Sequence, residues 1–185
     1  MKKLTKILAV TGVVAGLGVS ALPLGSYALD PTDGVVDADI HVTAKVIESI
    51  ALSAGDDVVI GNGTSTLVPN TSGTGTFTVE VATNCLKGFT LSATGETLTS
   101  EEGNTIAPNA AAAAGTEGWS IKGTEGKAGT TAKALSSTAQ VLWTHAASTT
   151  TIDDTETFTV TVGTDKTTEA GVYEGDIDFT AAVVK

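Results

Sequence analysis

The feature that most constrains the fold is a period of two in the hydrophobicity of residues 169–185. From Tyr173 onward every second residue is apolar or small, and most residues between them are acidic or polar. The apolar or small set is Tyr173, Gly175, Ile177, Phe179, Ala181 and Val183. Such alternation gives a strand one buried face and one wet face, as in an antiparallel sheet. We therefore predict one continuous strand that ends close to the final residue.

The same alternation recurs along the chain. Residues 40–46 are predicted to form the first clear strand. Residues 76–83 and 89–93 also alternate, and the short polar turn between them predicts a β-hairpin. Residues 94–118 contain few large apolar side chains, so we predict a loop there.

Further short apolar segments are separated by Gly, Thr, Ser and Asn. They lie around Ile50 and Leu52 and at residues 58–60, 119–121, 141–143 and 158–162. Short strands between turn residues, without an amphipathic helix, are typical of a β-sandwich. We therefore predict that residues 40–185 form one all-β domain, an immunoglobulin-like antiparallel β-sandwich.

The beginning of the chain has the pattern of a secretory signal peptide. Three lysines among the first six residues precede an apolar run at residues 7–24, and the small residues Ser26 and Ala28 follow it. Glycines and Pro23 dilute the hydrophobicity of the run, which favours a cleaved signal over a membrane helix. We predict that residues 1–28 are removed and that the protein is secreted to the bacterial cell surface, with no membrane association after cleavage.

The charge of the remaining chain excludes one class of partner. Removal of residues 1–28 leaves seven lysines, no arginine and all 21 acidic residues, a net charge of about −14. A strongly acidic surface repels phosphate backbones, so nucleic acid is excluded as a partner. Anionic membrane surfaces are disfavoured for the same reason.

Residues 29–39 are predicted to be an extended acidic leader. The segment contains a proline, a glycine and four aspartates, Asp30, Asp33, Asp37 and Asp39. Calcium prefers carboxylate oxygens, but the spacing of these aspartates matches no EF-hand loop. We therefore interpret the segment as a solvated arm.

Cys85 is the only cysteine, so an internal disulfide is excluded. Stability must come from packing of the core instead. The thiol could be reactive or could join two chains, but a small apolar filler near the end of a strand is the favoured interpretation.

The sequence contains no recognisable catalytic motif. His41 and His145 are the only histidines, and both fall where the exposed face of a strand is predicted. No nucleophile elbow, zinc-binding pair or phosphate-binding loop is present. We therefore predict that the protein is not an enzyme and needs no cofactor.

Glu174, Asp176 and Asp178 occupy alternate positions of the predicted last strand. They would lie on one side, roughly 7 Å apart, where like charges repel. A bound calcium ion would offset this repulsion. The favoured alternative is a charged wet face that resists aggregation between sheet edges.

Trp119 and Trp143 are the two candidates for ligand binding. Exposed indole rings can stack on sugars, as they do in carbohydrate-binding modules. Tryptophans in small β-domains are more often core residues. Ile121 and Val141 are predicted to share the faces of these tryptophans, which supports the core interpretation.

Two segments resemble a known family. Residues 170–181, AGVYEGDIDFTA, resemble the closing strand of WxL-type surface domains, and residues 84–93, followed by Gly118-Trp119-Ser120-Ile121, are similar to their arrangement. That family consists of secreted β-sandwich proteins of Gram-positive bacteria that associate non-covalently with the cell wall. Its two Trp-x-Leu motifs, to which wall binding is tied, stand here as Trp119-Ser120-Ile121 and Phe179-Thr180-Ala181.

Together these observations predict a secreted structural or adhesive protein of the bacterial surface. The expected partners are a cell-wall component, other surface proteins or copies of itself. The chain carries no sorting motif or lipid-accepting cysteine, so we expect non-covalent attachment to the wall or self-assembly. The alternatives are a carbohydrate-binding module and a pilin-like subunit that assembles by strand exchange, in which the leader pairs with the sheet edge of a neighbour.

Overall fold

The computed structural model describes residues 41–61 and 66–185. The predicted signal peptide, the acidic leader and the predicted domain boundary at residue 40 lie outside the described residues. Contacts along the chain separate two units, Met1–Ile47 and Glu48–Lys185. In the first unit, residues 41–47 have no regular secondary structure and are exposed. The predicted strand at residues 40–46 is therefore wrong for the residues that are described.

The second unit is built from β-strands, and its described residues form no helix. The strands are β1 (Ile50–Ala54), β2 (Ser72–Thr83), β3 (Phe89–Gly95), β4 (Leu98–Ser100), β5 (Thr105–Ile106), β6 (Gly118–Gly123), β7 (Gln140–His145), β8 (Ile152–Gly163), β9 (Tyr173–Glu174) and β10 (Ile177–Val183). Residues 94–118, predicted as a loop, thus contain β4 and β5. The small polar and alanine-rich composition of this segment hid two strands of three and two residues.

Two antiparallel sheets enclose one core. Four strands in the order β1-β2-β8-β6 form one sheet, and three in the order β10-β3-β7 form the other. Across the interior, the rings of Phe77 and Phe158 on the first sheet each lie 5.7 Å from the ring of Phe179 on the second. The protein is therefore an all-β sandwich of the immunoglobulin-like class, as the sequence predicted. A small third sheet, β5-β4-β9, accompanies it.

Alternation explains the longest pairing, between β2 and β8. The two strands pair over twelve residues, with Phe77 opposite Phe158. Val79 and Val81 on β2 are fully buried, and so is Phe158 on β8. The intervening residues are mostly threonines, which suit a strand's wetter face because they are β-branched and polar.

The apolar residues 58–60 cover the other end of β2 without forming a strand. A Cβ atom on Gly75 would lie 2.4 Å from Val58 Cγ1, and one on Gly73 would lie 2.6 Å from Ile60 Cγ2. The two glycines therefore let this segment pack directly onto the backbone of β2.

The predicted hairpin between residues 76–83 and 89–93 is wrong. β2 pairs with β1 and β8, whereas β3 pairs with β10 and β7, so the turn carries the chain from one sheet to the other. Gly88 adopts φ +96°, and a Cβ atom there would lie 2.1 Å from the carbonyl oxygen of His145. A short polar connection fits an arch between sheets as well as a hairpin, because partner choice depends on distant strands.

The predicted continuous terminal strand is also wrong in part. β9 ends at Glu174, β10 begins at Ile177, and the two belong to different sheets. Leu98 packs against the break, since a Cβ atom on Gly175 would lie 2.9 Å from its Cδ2. Along β10 the alternation holds, with residues 177, 179, 181 and 183 half-buried and those between them exposed.

The aromatic contact between the sheets makes a direct prediction. Phe158 is 1% exposed, so Phe158→Ala removes a ring that fills the interior. We expect the free energy of unfolding to fall by about 3–5 kcal/mol. Urea denaturation, monitored by circular dichroism, measures this free energy of unfolding. The control is Val141→Ala, where an aliphatic side chain 54% exposed is truncated and a loss of at most about 1 kcal/mol is expected. Equal losses in both variants would contradict this account of the core.

Candidate functional site

Four ionisable side chains converge where β7 and β8 meet the loop after β6. We call Lys127, His145, Asp154 and Glu156 the polar cluster. The Lys127 ammonium lies 3.0 Å from Asp154 Oδ1 and donates to the Thr155 carbonyl oxygen at 2.7 Å. His145 Nε2 lies 3.0 Å from Asp154 Oδ2. Each oxygen of Asp154 therefore has a nitrogen partner.

Glu156 is the most unusual member of the polar cluster, because its side chain is fully buried. Its Oε1 accepts the backbone N–H of Glu125 at 3.0 Å, and its Oε2 accepts that of Lys127 at 3.2 Å. A Cβ atom on Gly123 would lie 2.5 Å from the same Oε1, so a glycine is needed beside it. The carboxylate holds the loop at residues 123–129 against β8. Charged residues are rarely buried so completely without such partners.

Sequence reasoning missed Glu156, although a signal was present. The residue stands two positions before Phe158 in an alternating strand, and therefore shares the buried face. The composition of the chain drew attention to exposed acids instead.

His145 departs from its predicted position on an exposed strand face. It ends β7 with a side chain only 28% exposed, and its ring stacks on Phe89 at 5.5 Å. Nδ1 lies 2.6 Å from the Ala146 carbonyl oxygen, so both ring nitrogens face acceptor oxygens. Lys127 lies 5.4 Å from the ring centroid of Trp143, a cation–π contact. The side chains of the polar cluster therefore contact the protein's own loop and core.

His41, by contrast, is exposed, lies outside any strand, and is hydrogen-bonded to Thr43.

The role of Glu156 can be tested with an isosteric change. Glu156→Gln leaves one acceptor oxygen but turns an N–H₂ group toward a backbone N–H, so two donors meet in a buried site. We expect a loss of about 1–3 kcal/mol in unfolding free energy. Hydrogen exchange should also quicken at the amides of Glu125 and Lys127. Glu125→Gln, at an exposed position, serves as the control. Unchanged exchange at both amides would show that the carboxylate does not hold the loop.

Both candidate tryptophans lie in the core. Trp119 is 1% exposed and its indole N–H donates to the Glu96 carbonyl oxygen at 3.0 Å. Trp143 is 4% exposed and packs edge-to-face on Phe89 at 4.7 Å. Neither ring is presented as a platform for a sugar, as the core interpretation expected.

The predicted position of Val141 on the face of Trp143 was wrong. Val141 is 54% exposed and does not share the face of Trp143. The register between β3 and β7 shifts between Leu91 and Ser92, so that Leu142 and Trp143 are both buried. Such an irregularity adds a residue to one strand and cannot be seen from its alternation.

The three calcium candidates are divided between two sheets. Glu174 lies on β9 opposite Thr99, whereas Asp178 lies on β10 opposite Thr94, and Asp176 falls between the strands. All three are exposed. Among residues 41–61 and 66–185, no group of three His, Cys, Asp or Glu side chains is arranged to hold a metal ion. The geometry assumed for a calcium site on one strand is therefore not present.

Cys85 is 2% exposed and lies just after β2. Its backbone N–H donates to the Thr83 hydroxyl at 3.0 Å, and its Sγ lies 3.9 Å from the Val184 carbonyl oxygen. The thiol thus occupies the enclosed position expected of a small apolar filler.

Tyr173 stands in an acidic setting that the sequence did not reveal. Its hydroxyl donates to the Glu169 carbonyl oxygen at 2.9 Å. Burial raises the pKa of Tyr173, and the negative charges of Glu117, Glu169 and Glu102 raise it further. Asn104, which is distant in sequence, donates a hydrogen bond from its side-chain amide to the Glu169 carboxylate at 2.9 Å.

This pKa can be measured directly, because Tyr173 is the only tyrosine after residue 28. We expect its absorbance at 295 nm to titrate with a midpoint above the ordinary value of about 10. Because the folded pKa is the higher one, the associated stability is present below about pH 10 and is lost as the pH rises through the folded pKa. Glu117→Gln should lower the midpoint, while Lys122→Gln should leave it unchanged. A midpoint at the ordinary value in the folded protein would contradict the assignment.

The sheet edges differ in how far they are covered. Outside β6, Trp119 bridges to Pro108 and Ile121 bridges to Lys133. Beside β7, the Lys133 ammonium donates to the Val141 carbonyl oxygen at 2.9 Å. Beyond β1 and β10, no further strand is found in the part of the chain that the structure describes. These two edges approach one another on the same side of the sandwich.

The exposed segment at residues 41–46 alternates in the manner of a strand without pairing as one. Val42 is 81% exposed and Val46 is 82% exposed, and Ala44 between them is exposed as well. Polar residues, including Lys45, occupy the other positions. No strand among the described residues pairs with this segment. Strand addition in general requires an alternating segment and an open sheet edge.

Comparison with known proteins adds little to this description. No protein-family model and no curated protein matches the chain. A solved structure to which the chain is similar is a family 123 glycoside hydrolase from Clostridium perfringens, studied for glycolipid glycan hydrolysis, with 13% identity and a TM-score of 0.35. The match covers 74% of this chain and 25% of the hydrolase, so the chain spans about a quarter of that protein. Such a similarity carries no argument about fold or activity.

No helix in the described ranges combines the length and the apolar character that a membrane span requires.

Proposed function

We propose that this chain is a secreted structural protein of the bacterial surface whose copies assemble by strand addition. Residues 41–46 are the donor strand, and an open edge of the sandwich in another copy is the acceptor. The single observation that carries the proposal is the exposure of Val42 and Val46 on an alternating segment that pairs with no described strand. Export is proposed from the sequence of residues 1–28.

The free energy of burial supports this role. Full burial of a valine contributes about 1.5–3 kcal/mol, so leaving two alternate valines in water forgoes a substantial gain. Pairing with a sheet edge would bury these side chains and satisfy backbone N–H and C=O groups on both strands. Contiguous apolar surface that is exposed to water often marks an interaction site.

The burial of the first motif-like triplet favours self-assembly over attachment through that Trp-x-Leu position. Within β6, three consecutive residues are each no more than 3% exposed: Trp119, Ser120 and Ile121. The corresponding face cannot reach a wall polymer while the domain is folded. A carbohydrate-binding role through Trp119 and Trp143 faces the same obstacle.

The donor role predicts that assembly depends on the apolar face of residues 41–46. The chain from residue 29 onward should form oligomers or filaments by sedimentation velocity and electron microscopy. Val42→Asp with Val46→Asp should weaken assembly by at least about a hundredfold, because two buried valines are replaced by charges. The matched control changes the polar face of the same segment, through His41→Asn with Thr43→Asn, and should still assemble.

Circular dichroism should show an intact sandwich in every variant, since residues 41–46 pair with no described strand. If the unaltered chain remained monomeric up to millimolar concentration, the proposal would be overturned. Assembly that survives both aspartates would overturn the donor role of this segment.

A further inference from the structure

The proposed assembly requires an acceptor, and the four edges of the two large sheets are not equivalent. The outer edges of β6 and β7 are occupied by contacts from Pro108 and Lys133. β1 and β10 remain. The following inference rests on the proposed function and identifies which of the two edges receives the donor.

Charge distinguishes the two open edges. The sequence of β1, IALSA, contains no charged residue, whereas exposed Asp178 lies on β10 and exposed Asp176 directly precedes it. The donor segment carries Lys45 on its polar face. Opposite charges on adjacent strands attract each other, and an uncharged edge offers no such preference. Charge complementarity therefore favours β10.

The side chains also fit one another in size. If Lys45 lies opposite Asp178 in an antiparallel register, Ala44 falls opposite Phe179 and Val42 falls opposite Ala181. A small residue then faces a large one and a larger residue faces a small one, as close packing requires. Val46 falls opposite Ile177 in the same register.

The inward face of β10 is incompletely covered. Ile177, Phe179 and Ala181 are only partly buried, although they pack against the core. Phe179 contacts Phe77 and Phe158 at 5.7 Å, so an added strand beside β10 would extend the central aromatic cluster.

We infer that the acceptor is the outer edge of β10 in a second copy of this chain, and that residues 41–46 pair with it in antiparallel register with Lys45 beside Asp178. In this register Thr43 lies opposite Thr180, on the wet face of both strands. The interface between copies is then stabilised by the alternating apolar side chains on the inward face and by one ion pair on the wet face.

The register can be tested by cross-linking between copies. Chains carrying only Thr43→Cys are mixed with chains of different mass carrying only Thr180→Cys, all in a Cys85→Ala background, and oxidised mildly. Directly opposed residues on adjacent antiparallel strands have Cβ atoms about 4.5–5.5 Å apart, close to the range of a disulfide. We expect a mixed dimer on a non-reducing gel, with the 43–180 linkage found by peptide mass spectrometry.

Two matched partners for Thr43→Cys test the alternatives. Ser53→Cys places the thiol on β1, and Asp176→Cys places it where a parallel register with Lys45 opposite Asp178 would put it. Preferential linkage to either would overturn the inferred edge or direction. A chain carrying both Thr43→Cys and Thr180→Cys that links only within itself would show that the segment folds onto its own β10, which also overturns the inference.

A charge exchange tests the same register without cysteines. Lys45→Glu should weaken assembly several-fold, and adding Asp178→Lys should restore it. Assembly that is normal but insensitive to both changes, and gives no 43–180 linkage, would refute the β10 interface and leave the proposed function standing. An unaltered chain that never assembles would refute both.

Discussion

The packing of one sheet against the other is the interaction on which the described fold depends. With a single cysteine the chain can form no internal disulfide, so the apolar interior must supply the stability. Phe77, Phe158 and Phe179 join the two sheets at its centre. The strict alternation of β2 and β8 follows from this contact, because only every second residue can reach it.

The sequence was a good guide to the positions of the longer strands of the two large sheets and a poor guide to the identity of their partners. Alternation located β2, β3 and β8, short apolar segments located β6 and β7, and the all-β sandwich followed from them. Alternation could not show that residues 84–88 connect one sheet to the other, because the sequence of a turn does not specify whether the two strands that it joins pair with each other. For residues 41–46 it predicted a strand that the structure does not contain, since alternation specifies faces and not a neighbour.

The site residues were harder to predict for a related reason. Glu156 has the same phase within β8 as Phe158, which places it on the buried face, but Asp154 shares this phase and is only half-buried. The polar cluster brings together residues from β7, β8 and the loop after β6, which no spacing in the sequence links. The alternate spacing of Glu174 and Asp178 predicted a common strand, but the break at Gly175 places them on different strands.

The enclosure of Cys85 has a consequence for how the domain can be made and where it can operate. A thiol that solvent cannot reach does not exchange with small disulfides or become oxidised readily. Because Cys85 is the only cysteine, folding requires no internal disulfide, and in the folded domain burial protects the thiol from oxidants. The same sandwich can form in a reducing cytosol, in aerated medium or in an anaerobic habitat.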